Sequence, residues 1–141
     1  MVDHVTSEEA RRRFAAARVA RLASVDSSGH PHLVPIAFAV AGDRVYSAVD
    51  AKPKRTTALR RLANVRGNPA VAVLADHYED ADWGALWWVR ADGLGRVLDP
   101  ADLEARQAVA LLRERYPRFE AVGEVLAIDV KRWSGWSAAE A

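Results

Sequence analysis

The chain has 141 residues, half of them hydrophobic and 28% charged. This is the mix of one globular domain, spanning residues 1–141, long enough to bury a core unaided. Twenty Lys and Arg against 19 Asp and Glu leave a formal charge of +1, and there is no cysteine. The charge balance argues against a dedicated nucleic-acid binder. The lack of cysteine excludes a disulfide framework, a thiolate nucleophile and cysteine-ligated zinc.

Thr6-Ser7-Glu8-Glu9 is a capping box, with a hydroxyl at the cap and a carboxylate three residues on. Ala10, Phe14 and Ala17 follow at helical spacing and predict a helix to about Arg18. Residues 19–25 and 32–40 read as strands around the turn cluster Asp26-Ser27-Ser28-Gly29. After Ala41-Gly42-Asp43, residues 44–49 read as a third strand, and the three together predict an antiparallel meander. A second helix follows Thr56-Thr57, with Ala58, Leu59, Leu62 and Ala63 on one face, and Asn68-Pro69 stops it. Residues 70–75 are a buried strand, and 76–82 an acidic loop. Residues 83–91 and 94–98 predict two strands around Asp92-Gly93. Asp99-Pro100 opens a third helix with the stripe Ala105, Ala108, Val109, Leu112, Tyr116. Residues 124–130 are a last strand, and Trp133-Ser134-Gly135-Trp136-Ser137 a short tail. Six or seven short strands with three helices predict a mainly β, α+β domain, a small antiparallel barrel with helices over its open ends. No apolar run approaches the ~20 residues of a membrane span, and Met1 to Arg13 lacks a signal-peptide apolar core. A cytoplasmic protein is expected.

The sharpest local signal is charge. From Lys52 to Arg66 there are six cations and no acid. Lys52, Lys54 and Arg55 lie at a strand-to-helix junction, where cations and free helix-start amides both attract phosphate. Pro53 stiffens that loop. Arg60, Arg61 and Arg66 read as a solvated helix face. Pro35, inside a strand, cannot donate to a ladder and marks a bulge or edge where a planar ligand could meet backbone. Trp83, Trp87 and Trp88 follow the acidic loop, and packing is the ordinary use of each taken singly. The histidines His4, His30, His32 and His77 form no metal-ligand motif. No nucleophile elbow and no Walker or Rossmann glycine pattern occurs. No catalytic side chain and no metal ligand is assigned.

In order and spacing, R-L-A-S-V-D-S-S-G, G-H-P-H-L-V-P-I, V-Y-S-A-V-D-A-K-P-K-R-T-T-A-L-R-R-L, N-P-A-V-A-V-L-A-D-H-Y, L-W-W-V-R-A-D-G and W-S-G-W-S cover nearly the whole chain. Together they resemble the pyridoxamine-phosphate-oxidase-like split β-barrels, and within them the actinobacterial proteins that bind the deazaflavin coenzyme F420. The resemblance implies a homodimer with a cofactor in each groove between subunits. It places the second-strand backbone of Val34, Pro35 and Ile36 beside the tricyclic ring, with Ser47, Ala48 and Val49 of the third strand also bordering it. It gives the phosphate to Lys52, Lys54 and Arg55, with Thr57 nearby, and lets Trp87 reach in from the other subunit. Flavin-using relatives carry an arginine-lysine pair closer to the helix than the Lys-Pro-Lys-Arg present here, which leaves FMN as the alternative cofactor. Arg outnumbers Lys 17 to 3 and Ala occurs 28 times, a high-GC composition that favours the deazaflavin. The implied activity is hydride transfer between reduced F420 and a small organic acceptor, with Tyr78, His77 or water as proton source. An FMN-binding oxidoreductase of the same fold and a non-catalytic cofactor carrier or sensor are the rival readings. Neither a nucleic acid nor a membrane is expected as a partner.

Overall fold

The computed structural model describes residues 5–50 and 55–140, with the side chains of 50, 55–59 and 140 left aside. Seven strands form one antiparallel sheet: β1 (Ala20–Val25), β2 (Pro31–Ile36), β3 (Ala39–Ala41), β4 (Arg44–Asp50), β5 (Ala70–His77), β6 (Trp87–Leu98) and β7 (Ala121–Ser137). Three α-helices join them: α1 (Ser7–Ala16), α2 (Arg55–Gly67) and α3 (Leu103–Arg115). The sheet order is β2-β1-β5-β6-β7-β4-β3. The outermost strands, β2 and β3, are nevertheless consecutive in the chain, joined only by Ala37 and Phe38. Three peptide steps reach at most about 11 Å. The sheet is therefore rolled until its two edges nearly meet, a barrel left open along one line.

That crossing corrects the predicted meander. The expected strand over 32–40 breaks after Ile36, and its halves pair at opposite edges, β2 with β1 and β3 with β4. Burial explains the break. Val34, Ile36 and Phe38 all belong to the barrel interior, but Ala39 is buried under α3 instead. Phe38 is fully enclosed, 5.0 Å from the Phe14 ring. The Ser47 hydroxyl donates to the Ala37 carbonyl at 2.7 Å, tying β4 to the crossing.

The predicted break at Asp92-Gly93 is also different. Here β6 runs on, and the β6–β7 register shifts between these residues. A Cβ on Gly93 would lie 2.4 Å from the Asp129 carbonyl oxygen, so a bulge that needs glycine stands where a turn is expected. Trp83, predicted in a strand, opens a 3-10 turn. The predicted tail belongs to β7, where Trp133, Gly135 and Ser137 alternate inward. The Trp133 indole donates to Asp43 at 2.9 Å. Finally, α3 starts at Leu103 behind Asp102, while the Asp99 carboxylate accepts from the Ala101 amide in the turn before it.

Two apolar layers result. Leu22, Val34, Val45, Val73, Val89, Leu126 and Ile128 fill the barrel. Helix α1 closes one end with Ala10 and Phe14, and α2 closes the other with Leu62 and Val65. Thr6 caps α1 as predicted, accepting from the Glu9 amide at 3.1 Å. The Glu9 carboxylate binds Arg12 and Arg13 instead of completing the box. Outside the barrel, Ala105, Ala108 and Leu112 of α3 cover Tyr46, Ala48, Val125 and Ala127. No helix among the described residues is long and apolar enough to cross a membrane.

Candidate functional site

The open line of the barrel has two lips. Strand β2 pairs only with β1. Strand β4 pairs with β7 throughout, but β3 covers only Arg44 to Tyr46 on its other side, so residues 47–50 meet no strand there among the described residues. The two unpaired edges face each other beyond Ala37-Phe38. Unpaired edges leave backbone donors and acceptors free.

This arrangement sets Val34, Pro35 and Ile36 on one lip and Ser47, Ala48 and Val49 on the other. Val34 and Ile36 point inward, and Pro35 is exposed. Ser47 is buried with its hydroxyl on Ala37. The Ala48 side chain packs in the α3 layer, so it offers the opening backbone only. Between Ala48 and Val49 the β4–β7 register shifts, a bulge of the kind found beside binding sites.

Strand β4 leads to α2. Lys52 and Lys54 lie outside the described residues. Arg55 and Thr57 fall in the first turn of α2, their side chains outside the description as well. Further along, the helix corrects the expected solvated basic face. Arg60 is exposed, and Arg66 pairs with Glu124 in the β7 bulge. Arg61 is not exposed, and it has no ion pair among the described residues. It is half-buried, and its Nε is enclosed with no hydrogen-bond partner among the described residues. Burial lowers its pKa from the ordinary guanidinium value. The cause lies in helical spacing. Arg61 stands one turn before Asn64 and Val65, both buried. Asn64 Nδ2 donates to Ser24 Oγ at 3.1 Å, and Val65 fills the space a Gly95 side chain would need. The apolar positions 58, 62 and 65 in the sequence already place residue 61 beside this inner face.

Ser24 stands directly across from His32 in the β1–β2 register. His32 shares the inward face of β2 with Val34 and Ile36, and its Nδ1 is enclosed and unpartnered among the described residues. Thus two unmatched polar atoms, on Arg61 and His32, flank the bonded Asn64–Ser24 pair at the α2 end. A buried polar group without a partner is costly. Of the two side chains, the Arg61 guanidinium is the charged one, and being only half-buried it suits a ligand that brings acceptors.

The aromatic cluster lies elsewhere. Trp87 stands three strands from Pro35 in the sheet order, at the α1 end. Its ring stacks on His77 with centroids 6.1 Å apart, and the Arg13 guanidinium lies 5.7 Å over it. A cleft of about 290 Å³ beside it is lined by Ala16, Arg18, Val19, His77 and Trp87 among others. Tyr78 is exposed, its hydroxyl on Asp80. Trp87, His77 and Tyr78 are therefore not part of the opening in this chain. No group of three His, Cys, Asp or Glu among the described residues could hold a metal ion.

The family model described as pyridoxamine 5'-phosphate oxidase matches residues 6–137, and the chain belongs to that family. Among solved structures, a conserved hypothetical protein of Mycobacterium tuberculosis superposes with a TM-score of 0.76 at 19% identity, over 96% of this chain and 87% of that one. A FAD-binding protein of Mesorhizobium loti gives a TM-score of 0.72 at 23% identity, over 96% of each chain. A haem storage protein of Vibrio cholerae gives 0.69 at 16% identity, over 96% of this chain and 99% of that one. These likenesses show the split-barrel fold. No curated protein matches the chain.

Proposed function

We propose that this chain is an oxidoreductase of its family that binds coenzyme F420 and passes a hydride between the reduced coenzyme and a small organic acceptor. The observation that carries the reading is Arg61, a half-buried cation without a partner among the described residues, at the end of a groove with two unpaired strand edges. A phosphate would supply the missing charge and acceptors. Arg55 and Thr57 at the start of the same helix, with Lys52 and Lys54 just before it in the sequence, complete the proposed phosphate seat. Val34, Pro35 and Ile36 on one lip and Ser47, Ala48 and Val49 on the other would flank the flat ring.

When bound, the deazaflavin supplies the carbon that gives or takes the hydride, so the protein needs no nucleophile of its own. The chain's work is placement. The two lips would fix the ring plane between their backbones, and Arg61 would anchor the tail. Position and exclusion of water are sufficient roles for a protein around such a cofactor.

The working unit proposed is a homodimer. Its support is the outer face of β2, β1, β5 and β6, where Leu33 is 66% exposed and Leu94 44% exposed. Pro35, Leu74 and Trp88 lie on the same face.

The FAD-binding description of the Mesorhizobium loti neighbour favours a second reading, FMN in the same groove. Parallel titrations with F420 and FMN, followed by an acceptor panel of quinones, enones and tetrapyrroles, test the proposal. The expected result is tighter F420 binding and acceptor-dependent oxidation of the reduced coenzyme. A tightly held yellow flavin on purification supports the second reading. Binding without turnover makes the protein a carrier or sensor. Lys54→Ala combined with Arg55→Ala should weaken binding by about 1.5–3 kcal/mol per charged hydrogen bond lost, measured by the same titration.

A further inference from the structure

No strand ladder joins the two lips among the described residues, so pairing does not set the angle between them. They meet only at Ala37 and Phe38, and their free stretches lead away from that joint, back from Ile36 and on from Ser47. Each lip has a helix behind it. On the β4 side, Ala105, Ala108 and Leu112 of α3 cover Tyr46 and Ala48. On the β2 side, α1 passes through residues 17–19 into β1, the partner of β2. Arg115, in the last turn of α3, spans the two sides. Its Nη1 donates to the Ala15 carbonyl at 2.8 Å and its Nη2 to the Ala17 carbonyl at 2.5 Å. Those carbonyls lie at the end of α1, where the helix has no amides to offer them. On the way, the guanidinium carbon sits 4.6 Å from the centroid of the Phe38 ring, at the joint itself. The Phe38 amide donates to the neighbouring Tyr116 hydroxyl at 3.4 Å, and the Ser47 hydroxyl holds Ala37 from the other lip.

We infer that Arg115 is a positioning residue whose strap from α3 to α1 presets the angle between the lips, and with it the thickness of ring the opening accepts. Helix capping explains the acceptors but not the donor. A cation near a helix C-terminus satisfies it, and Arg18 lies closer in the chain yet stays exposed. The donor comes instead from the helix that covers the opposite lip. Arginine suits this use because its planar fork reaches two carbonyls at once while its face lies on an aromatic ring. Arg115 acts through Phe38 and the two helix ends and touches no ligand.

The angle is a property of the free protein, whereas its effect on affinity rests on the ligand reading above, so the two fail separately. Residual dipolar couplings of the ligand-free protein read the orientation of β2 against β4, with β5 against β6 as the check of folding. Wild type is compared with Arg115→Met, which keeps the stem on Phe38 and loses both carbonyl bonds, and with Arg115→Lys, which keeps the charge. In Arg115→Met the β2–β4 angle is expected to shift while β5–β6 stays fixed, and Arg115→Lys should recover part of it. A role confined to capping α1 lowers the melting point and leaves the angle alone. Riboflavin, FMN, F420 and its phosphate-free chromophore should all bind Arg115→Met roughly three- to tenfold more weakly, as they do when the lips are correctly spaced only a third to a tenth of the time. In the wild type the angle should be the same with and without saturating riboflavin, a readout that needs no variant to fold. An unchanged angle in Arg115→Met, unchanged affinities beside a shifted angle, or a wild-type angle that riboflavin resets overturns the inference. If wild type binds none of the four, the ligand reading falls, and the angle measurements alone decide whether Arg115 sets the lips.

Discussion

Two arginines divide the molecule between structure and function. On the α3 side, Arg96 donates to Glu104 at 3.0 and 2.9 Å and to Asp129 at 2.7 and 3.0 Å. Tyr46 and Arg44 complete that network, the Tyr46 hydroxyl reaching Glu104 at 2.8 Å. Each of its charges has an opposite, and each bond joins two elements. On the α2 side, Arg61 is drawn in by its helix and meets no opposite among the described residues. The lesson is one of complementarity. A matched charge explains itself by the fold, whereas an unmatched, half-buried one implies something the chain alone does not provide.

The contrast can be broken from either side. The largest effect is expected at Arg61. Arg61→Ala should lower affinity for a phosphorylated ring ligand by about 10- to 100-fold, the equivalent of one charged hydrogen bond or more. It should leave the thermal midpoint unchanged or raise it, because an uncompensated desolvated charge is removed. Titration and melting curves on the same samples check both halves. Arg96→Ala should do the reverse. It strands Glu104 and Asp129 and costs about 1–3 kcal/mol of stability, a range that allows for partial exposure of the pair. Ligand affinity should hold, as read by urea unfolding and by titration.

A pH profile sharpens the same point. Hydrogen bonds from Arg96 and then Tyr46 hold the Glu104 carboxyl down from 4.5 to about 2. A depressed carboxyl favours the fold only while ionised. Its contribution is full above about pH 4.5 and is lost as pH falls toward 2. Asp129, lowered mainly by Arg96, acts in the same direction. Urea midpoints should fall between pH 5 and pH 3 in the wild type and fall less steeply in Glu104→Gln. The smallest effect concerns neither arginine. Thr6→Ala removes the α1 cap bond and should cost about 1 kcal/mol, with ligand binding untouched because α1 closes the opposite end of the barrel.

Much of the fold was legible in the residues. The cap at Thr6, the stop at Asn68-Pro69 and the apolar stripe of α3 are local signals, and the structure follows them. What misled was non-local. Asp92-Gly93 carries turn chemistry, yet the glycine serves a backbone approach from β7. The run from His32 to Val40 alternates like one strand, yet the packing of Phe38 and Ala39 into different layers moves the chain to the other edge. The lips at Val34–Ile36 and Ser47–Val49 could be named from the resemblance. Arg61 could not, because three arginines on one helix look alike until the helix is seated. Its position beside Leu62 and Val65 was the available clue.

The most direct test is a crystal structure of the protein with F420 or FMN bound. The account predicts the ring between β2 and β4 and a phosphate oxygen within ion-pairing distance of the Arg61 guanidinium. A phosphate seated elsewhere, with Arg61 still facing no acceptor, contradicts it.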